Sequence, residues 1–439
     1  MSQFIRAIRK WDLVLLMINT IIGAGIFGLP SKVFQLSGAY SILAFVVCAL
    51  VIFNIIICFA EVGSRFDKTG GPYIYILEAF GSFPAFIMGW LLLWSRIISY
   101  AALINLLVTY SSYYNPILNH FAPRLLIMVV LTAILTGINY VGVKKTTTVN
   151  NFLTIGKIVP LVIFILVGLF FLQPELLSFH EMPEFNNFSS SVLLLVFAFG
   201  GFEVVVINSG EMKNPNKIVP YALIISALIV MVLYGSIQLV SVGTLPELGS
   251  SEKPLADAAQ SFMGGFGGNL ITIGAIISIV GALNAILLVG SRLLFALSDE
   301  GQLPKSLSIV HPKYRTPTIA LFAFTGLSLI IAVTGSFIYA ITITAIIRTV
   351  MYAMVCGALI KLRKQDNGGK QPAYKIPYGI PFALTGILFS AWLFSSSQLV
   401  EMRDVLICIL LGVITYWVYK KSKTNLTSVN ERRRSTTDE

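Results

Sequence analysis

Charge is scarce in this sequence. Only 12% of its 439 residues are Asp, Glu, Lys or Arg, about half the share found in soluble domains, so the chain cannot cover itself with a polar surface. Polar linkers between candidate cores are missing too, which excludes a string of soluble domains. Histidine is nearly absent: the three residues are His120, His180 and His311, all in loops, and none forms a His-Glu-x-x-His pair. Neither a nucleophile elbow nor a phosphate-cradling loop occurs, and Gly23-Ala24-Gly25 lacks the strand and acidic partner of a dinucleotide site. The chain is therefore expected not to be an enzyme and to take no cofactor or metal. Lacking an ATP-binding motif, it is not expected to be a self-powered pump. Cysteine is limited to Cys48, Cys58, Cys356 and Cys408, all in apolar stretches without metal-ligand spacing, so free buried thiols are expected.

What the chain has in quantity is apolar surface: 56% hydrophobic residues and a mean hydropathy of +0.83. Runs long enough to cross ~30 Å of hydrocarbon lie near 12–36, 39–63, 83–112, 124–142, 150–172, 190–210, 218–243, 269–297, 317–334, 337–362, 378–399 and 404–419. The expected fold class is an all-α integral membrane protein of about twelve transmembrane helices, with lipid as its main solvent. An even count puts both ends on one side, and the basic residues then segregate. Arg6, Arg9, Lys10, Arg65, Lys144, Lys145, Lys305, Arg363, Lys364 and the Arg432-Arg433-Arg434 run fall on the terminal side. The opposite loops hold Lys32, Arg124, Lys253 and Arg403 beside acids such as Glu175, Glu184 and Glu247. The positive-inside rule places both termini in the cytoplasm, so the chain is expected in the cell membrane. The net charge of +11 reads as topology, and no nucleic-acid partner is expected.

The first apolar run is too long for a signal peptide, and Pro30-Ser31-Lys32 is no cleavage site. The domain reading is a cytoplasmic segment 1–11, a transmembrane transporter domain 12–420 and a cytoplasmic tail 421–439, predicted disordered from its polarity. The connecting segments Pro72 to Phe83 and Leu255 to Phe266 are each predicted to hold a short surface helix.

Two runs carry a defect. Ile22-Gly23-Ala24-Gly25-Ile26-Phe27-Gly28 and Phe197-Ala198-Phe199-Gly200-Gly201-Phe202-Glu203 put glycine clusters at mid-membrane depth. Glycine costs about 1 kcal/mol in a helix interior, and unwound backbone is tolerated in a membrane only against protein or a watery cavity. The competing reading is close helix packing, for which Ala24 and Gly28 have the spacing. The defects stand in the first and sixth runs, matching members of two five-span halves, which favours a transporter with inverted repeats and a midplane site. A broken helix exposes backbone groups. The start of the second half of run 1 offers N–H groups of Gly25, Ile26 and Phe27 to a carboxylate. The first half of run 6 ends near Phe197 to Phe199 with carbonyls suited to an ammonium. An α-amino acid can bridge the two.

Four segments resemble the amino acid-polyamine-organocation (APC) family: IIGAGIFGLP (Ile21 to Pro30), AEVGSRFDKTGGPYIYILEAFG (Ala60 to Gly81), FAFGGFEVVVINSGEMKNPNKIVP (Phe197 to Pro220) and SRLLFALSDEGQLPKSLSIVHPKYRTP (Ser291 to Pro317). The resemblance covers nearly the whole chain. It implies a five-plus-five inverted repeat with discontinuous helices 1 and 6, two further C-terminal helices, and alternating access. Carried onto matching positions, the substrate-binding residues are Ile22, Ala24, Gly25, Ile26, Phe197, Ala198 and Gly200, with Phe202 as an aromatic gate or pocket wall.

Ionisable residues inside spans are functional by default. Lys157 has a plain reading as a snorkelling lysine. The resemblance implies that its ammonium stands in for the sodium ion of sodium-coupled relatives and contacts the first break, which makes it the expected proton-coupling residue. Glu203 either faces the substrate or pairs with a buried arginine; Arg96 and Arg348 are candidate partners for Glu203 or Glu61. Ile22, Phe27, Phe202 and Ala282 are candidate pocket-wall residues suited to neutral substrates. The function expected is secondary active transport of amino acids, coupled to protons. The alternatives are an amino acid exchanger or polyamine antiporter and, more distantly, an ion channel lined by the broken helices.

Overall fold

A computed structural model describes residues 10–66, 71–141, 146–179, 181–203, 215–334, 336–365 and 372–435. Most of the N-terminal segment (residues 1–9), residues 67–70 of the second family-like segment, His180, residues 204–214 of the third family-like segment and the last four tail residues lie outside this set. The described chain is helical throughout, in order α1 (Lys10–Ile21), α2 (Gly25–Ser37), α3 (Ser41–Gly63), α4 (Pro72–Phe80), α5 (Ser82–Ser111), α6 (Phe121–Val141), α7 (Thr146–Gly168), α8 (Phe185–Phe199), α9 (Pro215–Thr244), α10 (Pro254–Asp299, kinked at Gly264), α11 (Thr318–Thr334), α12 (Phe337–Gln365), α13 (Gly379–Ser395) and α14 (Leu399–Ser435). In hydrocarbon every backbone polar group must be satisfied internally, and a helix does this within one segment. That requirement overrides the strand preference of runs as rich in Ile, Val and Phe as α3. Six helical stretches among the described residues are long and apolar enough to cross a membrane, and four shorter apolar helices accompany them. The protein is a multi-pass membrane protein.

Burial separates a central layer from a lipid-facing one. The most apolar window of α5 is 89% buried, against 22% for α6, so α5 runs through the middle of the bundle and α6 along its edge. Around α5 pack α10, α11 and α12, while α8 lies against α2, α3 and α12. Polar side chains join neighbours inside this layer: Asn139 of α6 donates to Asn284 of α10 at 2.8 Å. All four cysteines are free. The two connecting segments predicted as short helices are helical, as α4 and as the arm of α10 before its kink. The last helix runs on to Ser435, where sequence polarity predicts disorder after Lys420. No glycine or proline follows Gly412 to break it.

Glu61 and the buried arginines sort into two separate groups. Glu61, near the end of α3, accepts Nε and Nη2 of Arg363 (α12) at 2.7 and 2.5 Å and the Ile376 N–H at 2.8 Å, with Arg65 Nη2 at 3.4 Å. It is therefore not the partner of Arg96 or Arg348. The group ties α3, α12 and the segment leading to α13. Removing one partner of a buried pair leaves a charge unpaired and costs about 3–5 kcal/mol. Arg363→Ala is accordingly expected to lower the unfolding temperature in detergent sharply. An unchanged transition would remove the pair from the fold's support.

Candidate functional site

The first helix break is built from a few short hydrogen bonds. α1 closes with the Ile22 N–H on Ile18 O and the Gly23 N–H on Ile21 O, both at 2.8 Å. α2 opens with the Phe27 and Gly28 N–H groups on Ala24 O at 3.1 and 3.3 Å. Phe27 is thereby engaged, so of the three candidate carboxylate donors Gly25 and Ile26 stand at the open helix start. The carbonyls at the end of α1 are met by side chains from three other helices. Lys157 of α7, only 3% exposed, donates to Asn19 O at 2.6 Å and Ile22 O at 2.7 Å. Ser278 of α10 reaches Ile22 O at 3.3 Å. Tyr234 of α9 donates to Ile21 O at 3.0 Å and to Ala198 O across the second break at 3.3 Å.

The second break follows α8. Gly201 has φ 118°, a conformation L side chains rarely adopt, and a Cβ there would lie 2.4 Å from Thr20 O. Both facts require glycine. The Gly201 N–H donates to Glu203 Oε2 at 2.8 Å. Arg348 of α12 donates through Nη1 to Phe197 O at 2.9 Å. Its Nε lies 3.5 Å from Glu203 Oε1, and Arg96 Nη2 of α5 lies 3.4 Å from the same oxygen. One carboxylate therefore faces two guanidinium groups, and Glu203, 1% exposed, is engaged as an ion-pair partner.

The two breaks flank a cavity of about 90 Å³. Of the residues singled out from sequence, Ala24, Gly25, Phe197, Ala198, Gly200, Lys157, Ala282, Arg96 and Arg348 line it. Ile22, Ile26, Phe27, Phe202 and Glu203 are not brought to its wall. A helix turns about 100° per residue, so Ile26 and Phe27 rotate out of the wall that Gly25 occupies, and Tyr110 packs edge-on against Phe27. Phe202, expected as gate or pocket wall, stacks on Tyr352 with ring centres 5.6 Å apart and lies edge-on to Phe59 at 5.1 Å. Of the wall contributed by α5 and α10, sequence reasoning named Ala282 and missed Ser99, Leu103, Gly281 and Ala285. The small-xxx-small spacing of Gly281 and Ala285 was a readable signal of close approach there.

Tyr234 is the one described side chain that hydrogen-bonds to both breaks. Tyr234→Phe keeps the ring and removes the donor, leaving two buried carbonyls short of a partner. A loss of about 1–3 kcal/mol is expected, read as a lower melting temperature of the purified protein. Wild-type melting would mean that the bridge carries no load.

A family model described as amino acid permease matches residues 8–418. The serine/threonine exchanger SteT of Bacillus subtilis is 31% identical over 426 residues, covering 93% of this chain and 96% of that one. The branched-chain amino acid permease BcaP of the same organism is 28% identical, covering 96% and 94%. The human cystine/glutamate transporter is 29% identical, covering 92% and 83%.

Proposed function

The chain belongs to the amino acid permease family, and on that premise we propose that it is a secondary active transporter moving amino acids across the cytoplasmic membrane by alternating access. In this reading twelve spans form a five-plus-five inverted repeat with two further helices, and both termini are cytoplasmic. The cavity between the breaks is the substrate site. The substrate carboxylate sits at the N–H groups of Gly25 and Ile26, favoured by the positive end of α2. The ammonium sits at the carbonyls ending α8. Phe197 O and Ala198 O there already accept from Arg348 and Tyr234, but a carbonyl has two lone pairs and can share them.

Lys157 is the coupling residue, and the observation that carries the reading is its ammonium seated on Asn19 O and Ile22 O. A charged donor binds a carbonyl about twice as strongly as a neutral one. Loss of its proton therefore loosens α1 from α7, and regaining it restores the grip. Exchange is the second reading, favoured by the similarity to a protein named as a serine/threonine exchanger. Reconstitution in liposomes tests the whole proposal. A carrier shows saturable amino acid flux, accelerated by substrate on the far side. Ion conductance without saturation would overturn it in favour of a channel. Uptake that strictly requires substrate on the far side would replace coupling with exchange.

A further inference from the structure

We infer that the cavity selects amino acids whose side chain bears a second carboxylate, and that Arg96 and Arg348 are the residues that select it. This rests on the cavity being the amino acid site proposed above. Arg96 and Arg348 line the cavity together with Lys157, and the carboxylate within ion-pair distance of the two arginines is that of Glu203. The triad of Glu203, Arg96 and Arg348 thus carries a formal charge of +1 in an apolar interior. Net buried charge is expensive unless a partner arrives. A neutral amino acid is zwitterionic and brings no net charge to offset it. A dicarboxylic amino acid brings one unit of the required sign.

The hydrogen-bonding groups point the same way. Each guanidinium carries five N–H donors in a fixed fork. Among the described residues Arg96 makes one hydrogen bond, to Glu203 at 3.4 Å, and Arg348 makes one, to Phe197 O at 2.9 Å. Arg348 Nε is buried without a hydrogen-bond partner among the described residues. Long contacts to Glu203 and spare donors beside a cavity suit a second carboxylate, which a guanidinium holds bidentately. On α10 the small residues Gly281, Ala282 and Ala285 line the cavity together with Ile286 and Val289. Of the wall residues expected from sequence to suit neutral substrates, Ala282 lines the cavity while Ile22, Phe27 and Phe202 do not, so the large apolar side chains on which that preference rested are not at the wall.

The test compares acids with their amide isosteres. Binding of L-aspartate and L-glutamate is measured on the purified full chain against L-asparagine and L-glutamine, as thermal shift and as competition for uptake. The expected result is that each acid binds at least about tenfold more tightly than its amide. Arg96→Lys and Arg348→Lys keep the charge but lose the fork, and each is expected to reduce that ratio severalfold. Glu203→Gln removes the competing carboxylate and is expected to raise it. A purely structural role for the arginines would lower melting without moving the ratio, and that outcome overturns the inference. Where a variant fails to fold, the wild-type ratio decides alone. Amides binding as tightly as acids would overturn the inference and leave the amino acid site standing. Binding of no amino acid would overturn both.

Discussion

Liposomes carrying Lys157→Ala or Lys157→Gln are expected to take up substrate at a rate that no longer responds to an imposed pH gradient. In the wild type, the same gradient is expected to drive accumulation. The expectation follows from geometry. The lysine lies on α7 and its ammonium donates to Asn19 O and Ile22 O, at the end of α1. Hydrogen bonds to charged groups contribute about 1.5–3 kcal/mol each, so two of them form a substantial tie between α7 and the first half of a broken helix. No other described titratable side chain donates to these two carbonyls, since Ser278, the remaining donor to Ile22 O, does not titrate near neutrality. Alanine removes donor and charge together. Glutamine keeps one donating group on a shorter stem without a charge to gain or lose. Counterflow driven by substrate alone should survive in either variant if the backbone site at Gly25 and Ile26 is intact. Gradient-driven uptake like the wild type in both variants would remove Lys157 from the coupling step.

The parts of this site legible in sequence are those whose cause is local. A glycine cluster breaks a helix wherever it stands, so the breaks at Ile22 to Ala24 and Gly200 to Gly201 could be read from composition and depth. Lys157 stood out as a lone lysine in an apolar run, but snorkelling accounts for such a lysine equally well, and its contact with the first break was an implication of the family resemblance. Legibility ended where two elements far apart in the chain had to be matched. Arg96 and Arg348 were weighed against both Glu61 and Glu203, because charge alone gives each carboxylate equal claim. Packing decides: α5 and α12 bring both arginines to Glu203, while the far end of α12 brings Arg363 to Glu61. Phe202 and Glu203 show the opposite failure. They adjoin the second break in sequence, yet with Gly201 at φ 118° neither is among the residues lining the cavity. Adjacency to a break thus told little about which way a side chain points. Ser99 and Leu103 carry no chemical mark of their own, and their place on the wall comes from how α5 packs.

Gly25→Ala is expected to lower transport by about 10²-fold, the loss typical of a small misplacement in a preorganised site. Two effects oppose each other. Alanine is the better helix former by about 1 kcal/mol, and Gly25 is the first residue of α2, so propensity alone favours the change. Space does not. A Cβ on Gly25 would lie 2.7 Å from the Cα of Ala198 and 3.0 Å from its Cβ. The nearer atom is backbone, at the end of α8, and cannot turn aside as a flexible side chain would. The new methyl must push the first turn of α2 away from the last turn of α8, and these turns carry the groups assigned to the substrate's carboxylate and ammonium. Overpacking of this kind costs about 1–3 kcal/mol, which outweighs the gain in propensity. The widened gap falls on the site itself. Gly23→Ala is the control for packing: its Cβ meets nothing nearer than Ile21 O at 4.0 Å, and although Gly23 also lines the cavity its uptake is expected to fall much less than that of Gly25→Ala. Initial uptake rates of both variants, normalised to the amount of folded protein in the liposomes, decide the matter. Equal loss in both would trace the effect to backbone freedom in the break. Loss confined to Gly25→Ala would trace it to the contact between the two half-helices, and wild-type transport by that variant would show that the contact does not set the site.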